Sequence, residues 1–477
     1  MIFQSLDYLV FFASLLCVYF WLPARGQNLL VLAASYLFYG WIHPWYLILI
    51  SITTIFDWGC ALGMESSSTP ARRRVFCIIS VSVNFIILGV FKYLGFFVEN
   101  VTALLTALHL MPSPVLLHIA LPAGISFFTF QSVAYAIDVY RGQQRACRSL
   151  IEYATFAAFF PQLVAGPIER AGHMLPQYQA TRRPSLTTLR SGLVLFLWGL
   201  FQKLAIADSA AILVNKVFAV GDATFPVLWG GVIAFGVQIY ADFSGYTAMA
   251  RGSARIIGIE LCPNFNHPYI SQSPSEFWRR WHMSLGKWFK EYVFIPLGGS
   301  RGGAWLTARN LMIVFFLSGL WHGAGWNFIL WGLFHGVLLC LWPHLTRLCP
   351  VFGTAGGKAG IVFRVVFTFA IMHVGRVLFR EQDLAMIWQH LTLNPLATTL
   401  MDWRVGMGIL FEAVLYGLPL TLIYPLIEHY RLLPAADDAK MQTWKWTWAQ
   451  AALAALLIFG LLALRSPETG DFIYFQF

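Results

Sequence analysis

The sequence predicts an all-α, polytopic membrane protein with about 11–13 spanning or re-entrant helices. Three observations predict it. Of the 477 residues, 58% are hydrophobic and 11% charged, whereas a soluble domain carries about 25% charged residues. Mean hydropathy is +0.65. Apolar runs of the roughly 17–25 residues that a helix needs to cross the hydrocarbon core recur along the chain.

The clear runs are 8–21, 46–62, 75–97, 193–220, 228–243, 311–320, 329–341, 361–378, 405–427 and 449–464, with 193–220 read as two packed pieces. Shorter runs at 29–41 and 122–136 complete the set. So many spans exceed what anchoring alone requires. The first residues, MIFQSLDYLVFF, have no basic flank before their apolar run, so the first helix is expected to be retained rather than cleaved. No hydrophilic stretch is long enough for a soluble domain, and one membrane-embedded domain over 1–477 is expected, with 471–477 as an aromatic tail.

The seven cysteines are scattered, mostly in apolar runs, with no CxxC spacing and no Cys/His cluster. They read as core fillers, and neither a disulfide framework nor a metal site is expected. The net charge of +10 is concentrated in a few loops. The positive-inside rule accounts for most of it, and membrane lipids rather than nucleic acid are the implied neighbours. One cluster, Arg279, Arg280, Lys287, Lys290 and Arg301, is dense enough to suggest a phosphate-bearing ligand as well.

All of that cluster but Arg301 belongs to SEFWRRWHMSLGKWFKEY, residues 275–292. On a continuous helix its aromatic residues gather in a stripe about 120° wide and its basic residues fall opposite, the pattern of an interfacial amphipathic helix. His282 then lies at the edge of the apolar stripe, at headgroup level. The following IPLGGSRGG ends the helix in a turn; its backbone N–H groups beside Arg301 either meet a phosphate or form a plain loop, since no phosphate-binding fingerprint is matched.

Chemistry is best sought in LSGLWHGAGWNFILWGLFHG, residues 317–336. His322 sits in an apolar run beside Trp321, bracketed by glycines that let the helix break or another group approach. An ionisable residue at membrane depth is a functional hypothesis by default, with a histidine satisfied by a backbone carbonyl as the structural alternative. His335, thirteen residues on, falls on roughly the opposite face of a straight helix and reads as packing. Asn327 either positions His322 or makes an interhelical contact. QIYADFSGYT contributes Tyr240 and Asp242, and FFPQLVAGPIER contributes Gln162, as cavity-lining polar groups; Asp242 needs a partner or a polar cavity. GGSRG at 298–302 has the letters of GxSxG but lies in the glycine-rich turn after the 275–292 stretch and is not a nucleophile elbow, and HExxH and P-loop layouts are absent, which excludes those chemistries in their usual form.

Taken together, YADFSGYT, NFNHPY, SEFWRRWHMSLGKWF, YVFIPLGGSRGG and SGLWHGAGWNFILWG resemble the membrane-bound O-acyltransferase family, in particular its bacterial polysaccharide O-acetyltransferase branch. The likeness extends to NLLVLAASYLFYGW and LPAGISFFTFQSVAYAIDVYRG. It implies a ring of helices around a central funnel. It also implies that His322 is the essential intramembrane histidine and His282 the second, upstream polar position. Cytoplasmic acetyl-CoA is the implied donor, its phosphates meeting the basic cluster. The implied partners are an extracytoplasmic acetyltransferase of serine esterase-like type and the polysaccharide synthesis and export machinery, at a bacterial inner membrane. Other branches of the family acylate lipids or proteins, and a transport or export component is the non-enzyme alternative.

By the count of basic residues the C-terminus lies outside, on the periplasmic side. Its last stretch, DFIYFQF, resembles aromatic tails with a central tyrosine that occur in this acyl-transfer system, which implies that Tyr474 is a transient acyl carrier. An aromatic interface anchor is the alternative. Phenol and imidazole differ by roughly 3.5 pKa units, near 5 kcal/mol, so a carrier role needs proton transfer concerted with attack.

Overall fold

A computed structural model describes residues 1–41, 43–110, 113, 117, 119–353, 355–423, 444–466, 470, 472 and 473. Among these residues there is no strand. Nine helices among them are long and apolar enough to cross a membrane: Tyr46–Ser66, Pro70–Ala107, Leu186–Phe218, Phe225–Ile256, Gly303–His322, Trp326–Leu348, Gly357–Arg380, Leu400–Thr421 and Thr447–Leu464. Leu6–Tyr19 is a shorter apolar helix, and the two minor runs correspond to the helices Ala24–Gly40 and Ile125–Tyr140. The run at 193–220 is not two packed pieces. It is one helical stretch in which Gln202–Ala207 widens to a π-helix, so the axis shifts without the chain turning back.

The chain forms two compact units, residues 1–193 with 250–262, and residues 194–249 with 263–477. In the first, Tyr39, Tyr46, Ile50, Leu88, Ile125 and Phe128 form a buried apolar cluster. Some buried charged groups of this unit are paired within it. Asp57 accepts hydrogen bonds from Ser80 at 2.6 Å and Asn84 at 2.9 Å. The buried Arg182 donates to the Tyr19 hydroxyl at 2.6 Å and to Asn28 Oδ1 at 2.8 Å.

The second unit is organised by a helical hairpin. Gly323 and Gly325 are both extended, and they stop the Gly303–His322 helix and start Trp326–Leu348. The two helices return backbone to backbone. A Cβ on Gly319 would run into the Phe328 carbonyl, and one on Gly332 into the Phe315 carbonyl. Small residues at a helix crossing let backbones approach this closely within a membrane, where apolar side chains gain nothing from leaving lipid. The hairpin thereby carries His322, at the end of its first helix, towards the face of the second that bears His335.

The predicted amphipathic helix over 275–292 is not continuous. Pro274–Arg280 and Met283–Phe289 are separate helices, followed by a π-helix over Lys290–Phe294. At the break His282 adopts a left-handed backbone conformation, φ 46° and ψ 54°, which costs a non-glycine residue on the order of 1–3 kcal/mol. Asn264 holds it there. Its backbone carbonyl accepts from Met283 N at 2.9 Å, and its side-chain oxygen accepts from Ser284 Oγ at 2.6 Å and Ser284 N at 3.3 Å. The stripe of aromatic residues was correctly an apolar face, but Phe277, Trp281, Leu285, Trp288 and Phe289 are buried in protein.

Candidate active site

His322 and His282 both pack against one indole. The Trp321 ring centroid is 4.9 Å from that of His322 and 5.5 Å from that of His282. Both histidines are buried, at 5% and 2% exposure. Phe243 meets His282 edge-on at 4.7 Å, while Trp331 and Phe379 meet His322 at 4.8 and 5.3 Å. His282 lies outside the membrane-spanning helices, and burial lowers its pKa to about 3. It is therefore a neutral imidazole at any physiological pH, because the apolar surround disfavours the cation.

His322 lines a cavity together with Phe277, Trp278, Trp281, Trp331, His335 and Arg376. His335 is thus not on the far side from His322. The straight-helix geometry fails because the chain turns at Gly323–Gly325. Trp331 bridges the two, 4.8 Å from His322 and 4.9 Å from His335. Arg376, from the helix Gly357–Arg380, donates from Nη2 to the Tyr269 hydroxyl at 2.9 Å, and Tyr269 in turn donates to the Gly236 carbonyl.

A second cavity in the same unit is polar. Lys203 bridges Asp208 at 2.8 Å and Asp242 at 2.9 Å, and Asp242 also accepts from the backbone N–H of Ile473 at 2.6 Å. Phe472 packs 4.6 Å from Tyr246 and 6.0 Å from Phe243. Since Phe243 touches His282, aromatic contacts run without a gap from the C-terminal segment to the histidine pair.

The profile described as "MBOAT, membrane-bound O-acyltransferase family" matches residues 141–380, a span that holds both histidines. The chain is 41% identical to a probable alginate O-acetylase of Azotobacter vinelandii, over 82% of this chain and 77% of that one. It is 36% identical to a probable alginate O-acetylase of Pseudomonas putida over the full length of both. A peptidoglycan O-acetyltransferase of Helicobacter pylori is 31% identical over 96% of this chain and 94% of that one.

The chain belongs to the membrane-bound O-acyltransferase family.

It is accordingly a multi-pass membrane acyltransferase, and the transport alternative loses its ground. Of the other residues singled out by sequence, Trp321 contacts both histidines, and Tyr240 packs against two aromatic residues, 5.9 Å from Trp281 and 4.9 Å from Tyr269. Asn327 is buried and donates to the Leu378 carbonyl at 3.3 Å, tying the hairpin to the next helix. Gln162 lies in the first unit, buried and donating to Gln131 at 3.1 Å. Arg279, Lys287, Lys290 and Arg301 are exposed. Arg280 is already paired with Glu276 at 2.9 Å. Tyr474 lies outside the described residues.

Sequence reasoning missed Arg376, Lys203, Trp278 and Asn264. The first two had a usable signal, a cation inside an apolar run. Asn264 sits in a motif that carried the family resemblance, NFNHPY, yet its role in holding the His282 break leaves no trace in periodicity.

Proposed function

We propose that the enzyme transfers an acetyl group from cytoplasmic acetyl-CoA across the bacterial inner membrane, for O-acetylation of an exported polysaccharide. The observation that carries this reading is His322, a buried imidazole at a broken helix end that opens onto a protein-walled cavity, in a chain whose relatives are named for O-acetylation of alginate and peptidoglycan. A hydroxyl is a weak nucleophile until a base takes its proton during attack, and neutral His322 serves as that base. His282 orients the pair rather than supplying a proton, because its imidazole stays neutral. The exposed cations at 279, 287, 290 and 301 meet the phosphates of coenzyme A.

Tyr474 is the first acceptor in this scheme, and an extracytoplasmic partner of serine esterase-like type takes the acetyl group from it on the periplasmic side. Support comes from its chain neighbours, since Ile473 is held by Asp242 and Phe472 packs against Phe243 beside His282. The test is intact mass after incubation with acetyl-CoA, followed by C-terminal peptide mapping. An acetyl adduct on Tyr474 that is lost in both Tyr474→Phe and His322→Ala is the expected result. No adduct, with Tyr474→Phe still acetylating a supplied partner at the wild-type rate, would make the tail an anchor.

A further inference from the structure

Arg376 is a cation enclosed almost entirely by aromatic groups. It is 7% exposed. Its guanidinium carbon lies 5.1 Å from the Tyr269 ring centroid and 5.8 Å from that of Trp281, and among the described residues no carboxylate pairs with it. Nη2 is held by the Tyr269 hydroxyl. Nη1 is buried and has no hydrogen-bond partner among those residues. Two neutral groups of the same cavity, Trp278 Nε1 and His335 Nδ1, are likewise unsatisfied. Each buried group left so costs about 1–3 kcal/mol, more when charged. A cavity lined by these three residues and by His322 can offer N–H donors to oxygen atoms.

We propose that Arg376 binds the oxyanion of acyl transfer, its Nη1–H donating to the thioester carbonyl oxygen as the carbon becomes tetrahedral. This rests on the thioester-donor reading above. In the step, the acceptor oxygen forms a bond to the carbonyl carbon, its proton passes to the His322 imidazole, and the carbonyl π pair moves onto the oxygen beside Arg376. The intermediate then collapses. The carbon–sulfur bond breaks with its electron pair on sulfur, and the sulfur takes the proton from His322 to leave as the free thiol of coenzyme A.

Three features favour this ligand over a phosphate. The lining carries a single cation, too little for the pyrophosphate and ribose phosphate of coenzyme A but enough for one developing charge. The guanidinium is immobile before substrate arrives, because two aromatic faces and a phenol anchored on the Gly236 carbonyl fix its plane. A preorganised donor in a dry site needs no rearrangement as charge develops, which is where oxyanion stabilisation gains its strength. Gly236 also keeps space beside it, since a Cβ there would collide first with the His373 ring and then approach the Arg376 guanidinium carbon to 3.3 Å.

The test uses the full-length protein in nanodiscs and two probes, coenzyme A and its S-trifluoroacetonyl derivative, whose ketone adds a nucleophile to give a tetrahedral alkoxide-like centre. Wild type should bind the ketone more tightly than coenzyme A. In Arg376→Gln that preference should fall by about 10²-fold or more, with kcat lower by about 10²–10³ and KM for acetyl-CoA nearly unchanged, the range for losing one oxyanion donor. Arg376→Lys and Tyr269→Phe, which keep a cation in place, should each lose about tenfold in the same preference, and they carry the test where Arg376→Gln fails to fold. Equal losses for both probes would make Arg376 a phosphate ligand and overturn the proposal. So would unchanged ketone preference in the folded variants. Wild type that bound neither probe would remove the thioester-donor reading itself, a failure distinct from any change confined to the variants.

Discussion

The two cavities of the second unit bury cations in opposite ways. In the polar one, Lys203 faces two carboxylates within 2.9 Å, and the surplus negative charge is met by a backbone N–H from Ile473. In the aromatic one, Arg376 faces a phenol and two ring faces. Burying a charge is expensive unless it is paired. The first cavity has its compensation inside the protein and is a fastening for the tail. The second lacks it and waits for a ligand. A buried cation paired with carboxylates holds structure together, whereas one with no carboxylate beside it among the described residues is where substrate is to be sought.

That contrast can be broken most sharply at its two centres. His322→Ala should lower acetyl transfer by about 10²–10⁴-fold, the contribution of a general base, with a thermal melt close to wild type; a melt that collapses with the activity would assign His322 to the fold. Lys203→Met should do the reverse. It leaves two buried carboxylates facing each other, and breaking a buried pair costs about 3–5 kcal/mol. The expected readout is a large fall in melting temperature in detergent. Lys203→Gln with Asp208→Asn and Asp242→Asn, which removes all three charges together, should recover most of it. Failure of the neutral triple variant to recover would mean that the charges, not their pairing, hold the tail.

A smaller effect follows from His282. Its pKa is lowered in the folded protein to about 3, against about 6.5 when unfolded. The unfolded chain therefore takes up a proton below pH 6.5 that the folded chain refuses until near pH 3, so stability is full above pH 6.5 and is lost as pH falls through that window. Between pH 6.5 and 5 the loss from this residue is about 2 kcal/mol at 1.36 kcal/mol per unit. A melt series over that range, compared with His282→Gln, should show a shallower slope in the variant. Parallel slopes would place the acid sensitivity elsewhere.

The sequence made the spans legible because a helix must carry about 20 apolar residues to cross a bilayer, and every clear run found its helix. His322 was legible for the same reason, as a titratable group where hydropathy forbids one. Closure in three dimensions was not. His335 was assigned to the wrong side because its angular position was counted along a straight helix, while two extended glycines fold the chain back and place it by Trp331. The break at His282 was hidden because the aromatic residues on both sides keep a helical spacing even though no single helix joins them. Lys203 and Arg376 were submerged in the hydropathy of their own runs, and their different fates depend on the carboxylates of Asp208 and Asp242 in one case and on there being none beside the cation among the described residues in the other.

The smallest expected effect concerns the basic residues that made the sequence suggestive. Arg279, Lys287 and Lys290 are exposed, and Lys287 lies 3.9 Å from Glu291. Exposed ion pairs contribute little because water screens them and long side chains lose freedom in forming them, so each single replacement by glutamine should raise KM for acetyl-CoA by about fivefold at most. The cluster acts as a field. Its combined effect should shrink as salt is raised, since at 0.15 M the screening length is only about 8 Å. Measured at low and high ionic strength, Arg279→Gln with Lys287→Gln and Lys290→Gln should therefore differ from wild type chiefly in the slope of KM against salt, with kcat untouched. A fall in kcat instead would move these side chains from the donor's phosphates to the histidine pair, and would blur the line between an exposed, screened site and the dry one behind it.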